Sequence, residues 1–553
     1  MVENEDKQDL ETRLEADLET ETIVDGMEVD NVLARPAGAP EWTDMAEKNG
    51  LDPLGMQSLC ISLYQSLVPG IANVTLRIRY YGFYAWLTWR YERAGASDSK
   101  DKWRQYIRRA EALCALVTLR GNLAETGISG AIWARKMLQQ KSVVLKFREG
   151  TDLESGVAQY LKQNMGAFGA AYGAQVIEIG LLVPSTVNGI PVPSEIGQQM
   201  AQVFDDAVGA CGDKFLEAAA RGSVSLAELD ALILMSLSKI PDTERDVYET
   251  LLLAPSTERA QDLKRRRTLE LILRITDQLK KQVGALDIRW SAYSGLALNG
   301  ASLVLPGSEL EQHRYSWAVY HANDLLHMAY ECLLKFSLQH LAKSAAGLRP
   351  QTLMSEVATA ILTEWDIAPK TWSELEAETT LAQDAGSAYD PLSEYRLTEQ
   401  VMFSSAVTAE CTAESAKAAV LLLAVLSKRF SPEEARYRAV LGPLVTQDYV
   451  WSLYSELRFL QSSKLEPLPR TLQKLVLERV LERHLWVAFQ KLHYRKDYTF
   501  LVESQDGILR TRKLDGPMLT NPRLGSAVDF LKDIRLVDLE GLTQAGRAAL
   551  EQL

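Results

Sequence analysis

Apolar residues recur at helical spacing through most of the chain, and strand-like alternation is confined to a few short stretches. After a first helix over 54–67 and a break at Pro69-Gly70, a second helix runs into Glu92. Val74, Ile78, Tyr81, Ala85 and Trp89 occupy one side of it, and Leu76, Tyr80, Phe83 and Leu87 fill others. A helix apolar nearly all round belongs at the centre of a bundle. Further helices are predicted over 133–138, 213–220, 226–239, 244–253, 258–283, 313–342, 406–430 and 471–492. A capping box at Ser431-Pro432-Glu433-Glu434 opens one more. Strand signals are limited to 143–147 and a hairpin, 498–503 with 508–513, turned at Asp506-Gly507. The expected fold is mainly α: a multi-domain helical protein with one or two winged-helix-like modules carrying short β-hairpins.

Those modules come from a pattern that the chain uses twice. Over 519–553, Asn521-Pro522 reads as a helix start, and Leu524, Val528, Leu531 and Ile534 form an apolar face. Leu536-Val537, a turn at 538–541 and Leu542 then make a minimal wing, and Thr543 caps a last helix. Over 177–201, Leu181-Leu182-Val183, a turn at Asn188-Gly189 and Ser194-Glu195-Ile196-Gly197 repeat this grammar. In both, a hydroxyl residue caps a helix with Gly three positions beyond it, a residue that lets the helix approach the wing closely.

At 553 residues the chain exceeds a single core. It divides by pattern into an acidic disordered tail (1–35), an N-terminal helical domain (36–150), a winged-helix-like module (151–205), a central helical domain (206–465) with an acidic loop at 373–399, and a C-terminal winged-helix-like domain (466–553). The formal charge of −13 is uneven: 1–35 carries −9 and 466–553 carries +2. So acidic a chain is a poor non-specific nucleic-acid binder, and any such contact must be local. Five scattered cysteines without metal-finger spacing suit buried thiols in a reducing compartment. With no charged-then-apolar leader and no apolar run of spanning length, the expectation is a cytoplasmic protein without membrane association.

Basic residues define the candidate nucleic-acid surface. Arg77 and Arg79 interleave with aromatics, a pairing that can clamp phosphates and stack bases, and Lys100, Lys102, Arg104, Arg108 and Arg109 follow. Arg510, Arg512 and Lys513 on the late hairpin, with Arg523, complete the set. Lys264-Arg265-Arg266-Arg267 reads as a solvated helix face. Four of the six histidines lie in 313–340, where a helical wheel gathers His313, Tyr320, Asp324, His327 and Glu331 on one stripe, expected to be the wet one. Asp324, His327 and Glu331 stand three and four residues apart and are weak metal candidates. Arg314 and His321 resemble the loose Arg–His pattern of HEPN-type ribonucleases, in which an all-helical dimer brings two such pairs to RNA; Arg479 and His484 match at shorter spacing. No phosphate-binding Gly loop or nucleophile elbow occurs, so no cofactor and no independent nucleotide hydrolysis is expected.

The run LDPLGMQSLCISLYQSLVPGIANVTLRIRYYGFYAWL, with GLLVPSTVNGIPVPSEIG further on, is similar to proteins of bacterial phage-defence islands, specifically accessory components of Druantia-type systems. The resemblance covers about residues 40–205 and carries no functional residues across. It implies a context, a subunit of an antiviral complex working beside a separate helicase or other motor. With winged-helix-like modules and no catalytic motif, the residues themselves suit a non-enzymatic scaffold or adaptor, beside a helicase or nuclease, that contacts DNA, RNA or partner proteins through those modules. The alternatives are a HEPN-like ribonuclease and a DNA-binding transcriptional regulator.

Overall fold

The computed structural model describes residues 52–96, 98–140, 142–185, 188–254, 259–297, 300–443 and 450–553, so the acidic tail expected over 1–35 lies outside the described residues. The fold is mainly α, with four two-stranded antiparallel sheets. Two compact units share the chain, interleaved in sequence rather than consecutive. One holds Val68–Ala285 and Arg523–Leu553; the other holds Leu286–Pro522 with the segment before Val68. Among the described residues, no helix is long and apolar enough to cross a membrane.

The first unit is built on the aromatic helix, Arg79–Arg93, whose first ten residues are all buried. Its rings meet those of other elements: Tyr80 stacks on Tyr172 at 4.4 Å, and Phe83 and Trp86 pack against Phe204 and Phe215. Gly82 is required here, because a Cβ would overlap the Tyr248 hydroxyl. Strand β1 (Val144–Lys146) pairs with β4 (Ser223–Ser225). Between them in sequence, β2 (Leu182–Val183) and β3 (Val192–Pro193) form the first predicted hairpin.

The repeated grammar becomes a repeated set of hydrogen bonds. In the first copy, Leu181 N donates to Val176 O and Ser194 N to Leu181 O, while the Ser194 hydroxyl donates to Gly180 O and accepts from Gly197 N. In the second, Leu536 N donates to Leu531 O and Thr543 N to Leu536 O, while the Thr543 hydroxyl donates to Arg535 O and accepts from Gly546 N. Gly180 and Arg535, at equivalent positions, share a left-handed backbone with φ of 92° and 61°. A Cβ at Gly197 would overlap Leu181 O, and one at Gly546 would overlap Leu536 O. Each module is thus a helix, a two-residue-per-strand hairpin and a capped helix: Gly173–Glu178, β2–β3 and Glu195–Val208, then Leu524–Asp533, β7 (Val537–Asp538)–β8 (Gly541–Leu542) and Gln544–Glu551. One sequence expectation fails: Asn521-Pro522 does not cap the second copy, because Arg523 at φ 63° precedes a helix that starts at Leu524 with no side-chain cap.

In the second unit, the helix Gly307–Ala342 runs 36 residues and packs against Gln57–Leu67, Ala413–Phe430 and the hairpin of β5 (Val502–Gln505) and β6 (Ile508–Thr511). The turn at Asp506 (φ 53°) and Gly507 (φ 74°) has both central residues left-handed, as a two-residue hairpin prefers. Two expectations are corrected. The 373–399 stretch is folded: Thr371, Asp384 and Ser393 cap short helices, Trp372–Glu378, Ala385–Ala388 and Glu394–Met402, and the acids Glu376 and Glu394 are buried. Ser431 caps nothing: Ala413–Phe430 passes into a 3-10 turn, Ser431–Glu433, although the expected new helix, Glu434–Leu441, does follow it.

Gly546→Ala should destabilise the first unit by roughly 1–3 kcal/mol, since a methyl is forced against a carbonyl oxygen. Gly525→Ala, in the first turn of a helix with open space around it, should be neutral or stabilising by up to about 1 kcal/mol. Urea denaturation of the two variants measures the contrast.

Candidate functional site

The polar stripe of Gly307–Ala342 is the densest chemistry in the chain, and it is buried. His321, Asp324 and His327 have 0% exposure and Glu331 has 4%, so the face expected to be wet is dry. The reason is tertiary. Arg289, on the preceding helix Ala285–Ser294, ion-pairs with Asp324 Oδ2 and donates from Nη1 to Thr520 O (2.7 Å). Thr520 N donates back to Asp324 (3.1 Å), and its hydroxyl bonds the Tyr320 hydroxyl (2.8 Å). Burial alone would raise the Asp324 carboxyl, but Arg289 and then His327 outweigh it and hold it at about 2.

The two histidines on this stripe have opposite characters. His321 Nδ1 lies 3.0 Å from Arg289 Nη2, and the ring edges of Trp290 and Tyr293 enclose it. Burial, reinforced by Arg289, holds its pKa well below the usual range, so Nδ1 accepts and the ring is neutral. His327 has Glu331 Oε1 2.8 Å from Nε2 and Asp324 Oδ1 3.7 Å from Nδ1. Burial opposes its charge, yet Glu331 and Asp324 push its pKa up. Met518 N caps the other Glu331 oxygen at 3.2 Å, and Asp52 brings a third ligand-type atom to His327 and Glu331. Such a cluster can hold a proton or a cation. It presents no nucleophile beside a base.

Arg314, the other half of the Arg–His pattern, bonds Glu311 and the Ala292 carbonyl and is 9% exposed. Neither it nor His321 offers a free edge to a phosphate. His484, of the second pair, is buried; its Nε2 accepts from Leu501 N (2.9 Å) and its Nδ1 lies 3.1 Å from Pro53 O. Burial pulls its pKa down to about 4.

The basic candidates divide by burial. Arg79 is 1% exposed, with Nε and Nη2 on Glu244 and Nη1 on the Leu234 and Ser236 carbonyls. Arg108, equally buried, donates to the carbonyls of Thr151, Leu161 and Gln163. Arg523 donates to Ile71 O (2.9 Å) at 4% exposure. Arg77 bridges Asp533 (2.7 Å) and Glu125, and burial of Asp533, only partly offset by Arg77, raises that carboxyl to about 6. Arg79, Arg108 and Arg523 are interior struts, and Arg77, half-buried, is held between its two carboxylates. Arg265 is an interior strut too, bonded to Asp262 (3.0 Å) instead of lying on a solvated face. Arg104 bonds Asn164 and Asp101, and Arg109 reaches the Ala220 carbonyl. Arg512 lies over the Tyr498 ring near Glu503, Lys513 is half-buried and Arg510 is exposed.

Lys100 and Lys102 remain on the surface, and Lys100 lies against Gly189 in the turn of the first hairpin. The second hairpin also has lysines beside its turn, residues that sequence reasoning missed: Gly541 lies against the backbone, not the side chain, of Lys281, and Lys280 and Lys281 are exposed just past Ala260–Leu279, whereas Lys100 opens its helix. Lys280 is left-handed (φ 49°), a helix stop that no Gly or Pro in the sequence announces. Neither a protein-family model nor a curated protein nor a solved structure matches the chain.

Arg79→Ala strands the buried Glu244 and should cost about 3–5 kcal/mol of stability in a urea titration. His484 gives a pH signature. Its folded pKa lies below the unfolded value of about 6.5, so its contribution is complete above pH 6.5 and is lost as pH falls toward 4. Stability of the native protein, relative to His484→Gln, should fall at up to about 1.4 kcal/mol per pH unit through that window.

Proposed function

We propose that the protein is a non-enzymatic scaffold subunit of a bacterial antiviral complex, working beside a separate helicase or nuclease and touching nucleic acid through its two helix–hairpin–helix modules, each a minimal winged-helix-like unit. The observation that supports this most is the repetition itself: the same hydrogen-bond set occurs twice, each time with a hairpin turn resting on a lysine-bearing helix end. A module reproduced down to its cap and its close-approach glycine is a reusable recognition element, and each hairpin turn has two exposed lysines able to reach a phosphate, beside Asp98 and Asp101 in one copy and Asp538 and Glu540 in the other. Such local contacts suit a subunit that binds with help from partners. The phage-defence resemblance in the N-terminal half supplies the cellular context, and cytoplasmic placement goes with it.

The burial of His321 and Arg314 favours the scaffold over a helical ribonuclease, which would need both groups at a phosphate. A transcriptional regulator would use the same modules but would discriminate between DNA sequences.

Fluorescence-anisotropy titrations with duplex DNA, alone and with the partner present, test the reading. Binding should weaken steeply with salt, and Lys100→Ala/Lys102→Ala or Lys280→Ala/Lys281→Ala should each reduce the slope of log K against log salt by about 1.8 for two lost phosphate contacts. Absence of binding in both settings, or wild-type slopes in both double variants, contradicts it. Strong preference for one sequence supports the regulator instead.

A further inference from the structure

Asp52, His327 and Glu331 each offer one ligand atom, and the three atoms lie within 4.8 Å of one another inside the second unit. His327 and Glu331 are four residues apart on one helix, which stacks their side chains on the same face. Two ligand atoms sharing an ion at about 2.1 Å are roughly 3.0–3.4 Å apart, and His327 Nε2 and Glu331 Oε1 stand at 2.8 Å, within a few tenths of that edge. The Asp52 ligand atom lies within 4.8 Å of both, so its carboxylate has to close on that point when an ion binds.

A second observation leaves room for a cation between these groups. The His327 ring has 0% exposure, and neither of its nitrogens makes a well-directed hydrogen bond: Glu331 Oε1 stands 2.8 Å from Nε2 off the bonding direction, and Asp324 Oδ1, at 3.7 Å from Nδ1, is beyond hydrogen-bond reach. A buried imidazole so incompletely bonded is costly. An ion held by Nε2 and the flanking carboxylates removes that cost and turns Nδ1–H toward Asp324, the carboxylate–histidine–metal arrangement that orients a ligating ring. Asp324 is fixed for that role by Arg289 and the Thr520 amide. The other groups facing the site are Asp515, which adds negative charge beside Glu331, and Lys491, whose ammonium bonds the Asp52 carbonyl (2.7 Å) and leaves the Asp52 carboxylate to act.

We infer that Asp52, His327 and Glu331 bind one divalent first-row transition ion, His327 through Nε2 and each carboxylate through one oxygen. The inference is independent of the scaffold reading. The ion fastens the turn at 52–55 to the long helix, and three protein ligands leave coordination positions for water at the partly exposed Asp52 side. One imidazole among oxygen donors selects Zn2+ or Mn2+ over Mg2+.

The test uses the full chain, stripped with EDTA and dialysed, titrated calorimetrically with Zn2+, Mn2+ and Mg2+ and followed by thermal unfolding. One equivalent of Zn2+ or Mn2+ should bind and raise Tm, with Mg2+ much weaker. Asp52→Asn, at a partly exposed position where the amide oxygen can still accept from Met56 N, should fold normally and weaken binding at least about tenfold, as should Glu331→Gln. No heat and no Tm change with either transition ion, or wild-type affinity in Asp52→Asn, overturns the inference. If Glu331→Gln does not fold, Asp52→Asn alone decides.

Discussion

Every charge on the buried stretch of the second unit's long helix, 313–338, has to be answered inside the protein. A carboxylate taken out of water without a partner costs several kcal/mol, so Asp324 can be buried only where Arg289 and the Thr520 amide meet it. That requirement ties three segments distant in sequence, 285–294, 320–331 and 515–520, to a single geometry. The first unit obeys the same rule. Arg79 and Glu244 pair between the aromatic helix and Asp242–Leu253, and the buried Glu111 carboxylate is met by the Tyr84 and Tyr160 hydroxyls and the amides of Ala167 and Phe168. Buried polar groups satisfied this completely fix which elements face each other, while the surrounding apolar packing supplies most of the burial energy.

The parts legible in the sequence are those decided over a few residues. Ser194 with Gly197 and Thr543 with Gly546 are caps whose partners lie three positions away, so the two modules could be read without knowing the rest of the fold. Asp506-Gly507 announces its own turn for the same reason. The all-round apolar pattern of Arg79–Arg93 likewise identifies a central helix. Failures begin where the partner is remote. A helical wheel puts the stripe of His313, Tyr320, Asp324, His327 and Glu331 in water because it has only one dry side, whereas this helix is covered on both by elements a wheel does not contain. Arg79, Arg108 and Arg523 look like phosphate ligands in isolation, and only the fold reveals that backbone carbonyls and Glu244 consume their donors.

The candidate site was half legible in the same sense. Asp324, His327 and Glu331 share a helix and could be named from spacing, whereas Asp52 and Arg289 are brought in by tertiary structure, and Asp324 supports the ring instead of joining the ligand set. The 373–399 stretch was misread as a loop because its helices are too short for a periodic signal and are held by Glu376 and Glu394, whose partners Ser427 and Arg429 lie on another helix.

On the proposed reading, interior charge and surface charge have separate duties: the histidine–carboxylate helix sets the architecture, and the lysine-backed hairpins meet the ligand. Hydrogen–deuterium exchange on the full chain, with and without duplex DNA or its partner, tests this division most directly. New protection is expected at 98–104 and 188–192 and at 278–282 and 538–542, with 313–340 slow and unchanged. Protection confined to 313–340, with both hairpins indifferent to ligand, would contradict it.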